Sequence, residues 1–162
     1  MDRAIICGVD GSPDSRLALG VAASLARRLA ARLIVVNVVA AVRDPVVPTL
    51  AYAPMARPVG SMPPMTARRT DVDVEAAEAM LERILNEERL LDAEPQTVVG
   101  DPAERLADLA DDEGAELIVV GSRGRGAFKA AFLGSVSNSL VGVARCPVLV
   151  VPRGAVEHGV TG

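Results

Sequence analysis

The stretch GSRGRGAFKAAFLGSVSNSL, residues 121–140, combines residue types that suit one kind of chemistry, the holding of an anion by backbone N–H groups. Gly121, Gly124 and Gly126 follow an apolar run. Glycine there permits positive φ and lets N–H groups approach a ligand without a Cβ in the way. Gly134 and Ser135 precede a segment with helical spacing. The first turn of such a helix has unpaired N–H groups and the positive end of the dipole. Ser122, Arg123, Arg125 and Lys129 lie between these pieces. The basic side chains have two open readings, counter-charges for the anion or ordinary solvated groups. No GK[ST] follows four residues after a glycine, so this is not a Walker A loop, and Lys129 stands where GxGxxG needs its third glycine. The register present is GxxG, nine residues, then GS: Gly121, Gly124, Gly134 and Ser135.

A second junction carries a carboxylate. Asp10-Gly11 follows the apolar run 4–9, and Asp10 either contacts a ligand or a magnesium ion with its waters, or caps the turn into a helix. Ser12 and Ser15 are explained as helix-start residues. No catalytic residue is assigned. The one histidine, His158, sits in a Gly-rich tail, and neither paired carboxylates nor a Ser-His-Asp arrangement is recognisable.

Rigid elements must bring these pieces together. The run 4–9 reads as a strand buried on both faces. A helix follows, with Ser12 as cap, Pro13 at the first position, Asp14 favouring the dipole, and Leu17, Val21, Leu25 and Leu29 repeating every four. A second strand is expected over 33–39. Residues 40–69 carry prolines at 45, 48, 54, 58, 63 and 64, and form a long connection, read either as a lid or interaction segment or as disorder. Helical pattern resumes near Asp71, with Ala77, Met80, Leu81, Ile84, Leu85 and Leu91 as its stripe. A third strand over 96–99 leads into Gly100-Asp101-Pro102, where Asp101 caps a third helix that ends near Gly114. A fourth strand covers 116–120, a fourth helix 135–144 with Val136, Leu140 and Val143 on one face, and a fifth strand 147–151. One domain over 1–153 and a tail over 154–162 result. Strands alternating with helices predict an α/β three-layer sandwich with a mostly parallel sheet and right-handed crossovers. Ligands of such sheets bind at the carboxyl ends of the strands, where Asp10-Gly11, the end of strand two and the loop from Gly121 converge. The spacer 127–133, with Phe128, Phe132 and Leu133, is expected to pack and hold the two glycine pieces apart.

Composition excludes several classes. A net charge of −4 and a pI near 5.0 oppose general polyanion binding, so any anion site is local. Tyr52, Phe128 and Phe132 are the only aromatic residues, too few for stacking on single-stranded nucleic acid. No apolar stretch has the ~20 residues that span a bilayer, and the N-terminus begins a strand pattern, so neither nucleic acid nor membrane is expected as partner and a cytoplasmic location is. Cys7 and Cys146 lie in or beside apolar runs and read as buried free thiols.

The sequence resembles the universal stress protein family, in its ATP-binding branch, whose signature GxxGx9G[ST] follows the fourth strand. Beside the signature stand GVDGS at 8–12, VNVV at 36–39, VGDP at 99–102, LIVVG at 117–121 and CPVLVVP at 146–152, in that order over nearly the whole chain. The resemblance implies a five-stranded parallel sheet of order 3-2-1-4-5, the adenine nucleotide alpha hydrolase-like, Rossmann-like architecture, with ATP in its crevice. By the same resemblance Asp10 and Gly11 flank the nucleotide and the backbone of Val38 reads the adenine edge. Gly121 lies against the ribose. The loop of Ser122, Arg123, Gly124, Arg125 and Gly126 approaches ribose and phosphates. Gly134, Ser135, Val136 and Ser137 hold phosphate. Position 37 is Asn where the family frequently has His.

The function implied is a nucleotide-responsive regulatory or stress-protection module with an unidentified protein partner. Two alternatives stand beside it. One is a slow Mg-dependent ATP hydrolase using Asp10 and the loop arginines; the other is a scaffold working through residues 40–69. The apolar last strand, expected at a sheet edge, suggests a homodimer through Val148–Val151, which the resemblance also implies.

Overall fold

A computed structural model describes residues 3–41, 65–123 and 133–156. Gly124, Arg125, Gly126, most of the Pro-rich segment and residues 157–162 lie outside the described residues. The elements in chain order are β1 (Ala4–Gly8), α1 (Pro13–Leu29), β2 (Arg32–Val39), α2 (Met65–Glu87), β3 (Glu94–Val99), α3 (Pro102–Asp112), β4 (Leu117–Gly121), α4 (Ser135–Val143) and β5 (Val148–Val151). The five strands form one parallel sheet of order β3-β2-β1-β4-β5.

Residue alternation along the strands separates two cores. Ile5, Cys7, Val35, Val119 and Val151 face the side covered by α1 and α2. Ile6, Ile34, Val36, Ile118 and Val120 face α3 and α4. Strands buried on both faces read as continuous apolar runs, which explains the composition of β1, β2 and β4.

Several helix expectations change in the packing. In α1 the buried stripe is Ala18, Leu19, Ala22, Ala23 and Ala26, while Leu17, Val21 and Leu25 pack at its margin and Leu29 is exposed. Alanines let the helix lie close to the sheet, so Leu19 is the one leucine in the contact and Leu17 and Leu25 flank it. α2 begins at Met65, earlier than Asp71, because Met, Ala and Arg are good helix formers directly after Pro63-Pro64. Leu91 falls beyond the end of α2 and is exposed. In α4 only Leu140 and Ser137 are buried, Val136 packs against the core, and Val143 faces out.

β3 starts at Glu94 and includes Pro95, which pairs in register with Val35. Proline is tolerated there because β3 is an edge strand. After β5, Arg153–Val156 forms a 3-10 turn where the sequence offered no element.

The order of the strands sets the position of the site. The chain leaves β1 towards β2 and later returns from β3 to β4 on the other side of β1, so the winding reverses between β1 and β4. The crevice of an open α/β sheet lies at that reversal, beyond the carboxyl ends.

Candidate functional site

β1 ends in a tight junction with α1. Gly11 has φ +80, a conformation that favours glycine. The Ser12 N–H donates to Asp10 Oδ1 at 2.9 Å, so the Asp10 carboxylate closes the turn between strand and helix. Ser12 caps α1 by accepting from the Ser15 N–H at 3.3 Å, and the Ser15 hydroxyl donates to the Ser12 carbonyl at 2.9 Å. Asp10 therefore shapes the turn, as one of its two readings has it, and it stands half-buried after the end of β1.

Across the reversal, β4 ends at Gly121 against the first turn of α1. A Cβ at Gly121 would lie 2.7 Å from the carbonyl carbon and oxygen of Asp14 and 2.9 Å from the Ser15 nitrogen. The glycine is thus required by helix packing, independently of any ligand.

Ser122 then connects three elements. Its N–H donates to the Val151 carbonyl at 2.9 Å, its carbonyl accepts from the Gly134 N–H at 2.7 Å, and its hydroxyl donates to Asp14 Oδ2 at 3.1 Å. The two glycine pieces of the motif therefore meet at Ser122 and Gly134. The expected packing of the spacer at Phe128 and Phe132, and the separation it was to impose, lie outside the described residues.

Gly134 caps α4 without a side-chain hydrogen bond, whereas Ser12 and Asp101 cap α1 and α3 with theirs. Among the described residues no side chain caps the first-turn N–H groups of α4, which suit an external acceptor. Ser135, at the first position, is exposed. Ser137 is 2% exposed and donates its hydroxyl to the Gly134 carbonyl at 3.0 Å, so its one donor is used inside the helix start. Val136 packs its side chain against the core formed with α3. Arg123 is half-buried just after Ser122.

At the end of β2 the geometry favours a backbone edge. The Val36 carbonyl accepts from the Val9 N–H at 2.8 Å, and β1 pairing stops at Gly8 with Val36. Backbone direction alternates with period two, so Val38 turns its N–H and carbonyl the same way, above the point where β1 has ended. Asn37 is 8% exposed and donates Nδ2 to the Val9 carbonyl at 2.6 Å. It ties β2 to the β1 turn and leaves the Val38 edge undisturbed.

Among the described residues no group of three or more His, Cys, Asp or Glu side chains could hold a metal. A magnesium ion here would depend on ligand oxygens and water, with Asp10 as the protein carboxylate. Neither cysteine is a ready nucleophile. Burial pushes the Cys7 thiol up to about 12 and raises that of Cys146.

The sequence reading missed Asp14 and Arg153 as parts of this region. Asp14 was read as a dipole residue, yet it is buried with Arg153 Nε 2.8 Å from Oδ1. Nothing local in the sequence indicates that pairing, since 139 positions separate the partners.

Comparison with known proteins agrees over the whole domain. The model of the universal stress protein family matches residues 1–152. A universal stress protein of Thermus aquaticus is 35% identical over 155 residues, covering 93% of this chain and 99% of that protein. Mycobacterial universal stress proteins that also match are longer, and the match covers 44% of their length. The UspA structure of Lactobacillus plantarum superposes with a TM-score of 0.71 at 22% identity, covering 92% of this chain and 97% of that one. A universal stress protein solved in complex with cAMP superposes with a TM-score of 0.63 at 25% identity, covering 92% and 96%.

Proposed function

The chain belongs to the universal stress protein family, and from that premise we propose that it is an ATP-binding module whose nucleotide state governs contact with a protein partner. The observation that carries the reading is the junction of Ser122 with Gly134 at the winding reversal. It joins the start of α4, which has no side-chain cap, to the end of β4, whose Ser122 hydroxyl reaches Asp14 at the start of α1. A relative solved with cAMP supports an adenine nucleotide as the ligand class.

In this reading the Val38 backbone edge recognises adenine. Asp10 and Gly11 flank the nucleotide, and Gly121 adjoins the ribose through its main chain, since its missing side chain is already demanded by α1. The N–H groups of Ser135, Val136 and Ser137 hold phosphate, together with the Ser135 hydroxyl, while the Gly134 N–H is engaged by the Ser122 carbonyl and contributes by fixing the helix start. Ser122, Arg123, Gly124, Arg125 and Gly126 border the phosphates, and the two arginines supply charge. Asp10 would be the protein residue that holds a magnesium ion, which would supply counter-charge to a triphosphate. A second copy pairs along β5, whose outer edge has no neighbour in the sheet among the described residues.

The test is to incubate the purified full chain with ATP and Mg²⁺, desalt it, denature it and identify what is released. The expected result is an adenine nucleotide in up to equimolar amount; absence of any adenine compound contradicts the reading. Phosphate release in the same samples decides about hydrolysis. A rate above background that falls in Asp10→Ala would make the protein an ATPase, and equal rates leave it a binding module.

A further inference from the structure

Among the described residues Asp14 alone buries a charged side chain, at 1% exposure. A carboxylate at the start of a helix usually stays in water, where the dipole favours it at little cost. Buried, it needs charged and hydrogen-bonding partners. Each oxygen has one: Oδ1 receives the Arg153 Nε–H at 2.8 Å, and Oδ2 receives the Ser122 hydroxyl at 3.1 Å. Arg153 reaches in from the turn after β5 while its side chain stays 65% exposed. Ser122 has its N–H, carbonyl and hydroxyl all engaged, to β5, to the start of α4 and to α1.

We propose that Asp14 and Arg153 form a clamp that positions Ser122, and through it the start of α4, for ligand binding. Arg153 lies outside the glycine motif and is a positioning residue of the nucleotide site. The clamp itself stands on the hydrogen bonds above, and only its consequence for ligand rests on the nucleotide reading. Without Arg153 the buried carboxylate keeps one neutral donor, and water or a shift of the α1 start must replace the lost partner. Ser122 then loses its fixed hydroxyl partner, and the Ser122–Gly134 bond opens more often.

The test uses the full chain and two readouts. Hydrogen exchange of the ligand-free protein should show the Ser122 and Gly134 amides exchanging about tenfold faster in Arg153→Ala and in Ser122→Ala, with Ile118 and Val119 in β4 unchanged. ATP titration should show affinity about tenfold weaker in Arg153→Ala. Arg153→Lys, which restores the charge but not the guanidinium geometry, should recover part of both effects. A residue that merely anchored the C-terminal turn would leave the Gly134 amide unmoved. Unchanged exchange at Ser122 and Gly134 in both variants overturns the clamp. Faster exchange with unchanged ATP affinity overturns its role in positioning. If the unaltered protein binds no ATP, the nucleotide reading and the positioning role fail together, while the exchange result separately shows whether the clamp exists.

Discussion

Gly121 shows how one residue can satisfy a motif and a packing demand together. The motif predicts a glycine that yields room to a ligand, but the atoms nearest its absent Cβ belong to the backbone of α1, at 2.7 Å. Backbone cannot rotate away as a side chain can. Gly121→Ala should therefore destabilise the fold by roughly 1–3 kcal/mol, the range for overpacking. Gly20, exposed in α1 with nothing within 4 Å of its missing Cβ, is the control. Alanine there should add about 0.4–1 kcal/mol of stability. Denaturant unfolding measures both, and an unchanged midpoint for Gly121→Ala contradicts the packing account. The conformational need at Gly11, with φ +80, was legible in the sequence because Asp-Gly after an apolar run names the turn. The Asp14–Arg153 contact was not. Ion pairs between distant positions leave no local pattern, and Asp14 had a sufficient explanation in the dipole.

At the scale of elements, the strands and caps were the most legible. Ser12-Pro13 and Asp101-Pro102 each mark a helix start, and both serve as caps in the structure. The leucine spacing of α1 does not give its buried face because periodicity describes a helix in isolation and the sheet selects which face is used; the start of α2 precedes its apolar stripe because the good helix formers after Pro63-Pro64 extend the helix without adding to the stripe. Small residues that allow close approach outrank large ones, so alanines line the contact in α1. The 3-10 turn at Arg153–Val156 was illegible because a four-residue element has no period to detect. Among the described residues β5 pairs only with β4, which leaves one edge of a four-residue apolar strand without a partner strand, and Val141 and Val143 on α4 are 65% and 47% exposed. An open apolar edge invites another strand. Sedimentation should find a dimer at micromolar concentration, and Val150→Pro, which removes a backbone donor from the edge strand, should shift it to monomer. A monomer at every concentration contradicts pairing through β5.

Over the whole molecule, the two ends of the sheet differ in their chemistry. At the amino ends of the strands, Arg32 pairs with Glu94 at 2.7 Å and with Glu113 at 3.2 Å, joining β2, β3 and the end of α3. These hydrogen bonds lower the Glu94 carboxyl and raise the Arg32 guanidinium, while the groups stay partly exposed. At the carboxyl ends stand the Asp10–Gly11 turn, the Val38 edge, Ser122 and the uncapped start of α4. Among the described residues, one end is tied by side-chain ion pairs, and at the other the start of α4 has no side-chain cap. The crevice was legible from the order of apolar runs and glycines; how its walls are fastened was not, because the fastenings join residues far apart in the chain.

The central claim is that the start of α4 receives phosphate, and calorimetric titration of ATP into the full chain with and without Ser135→Glu tests it most directly. Ser135 is exposed at the first helical position, so a carboxylate there favours the dipole and should leave thermal stability unchanged or slightly raised. The same carboxylate would occupy and repel the phosphate position. The account predicts saturable binding by the unaltered protein, weakened by about tenfold or more in Ser135→Glu. Equal affinity in the two proteins, or no binding in either, would contradict it.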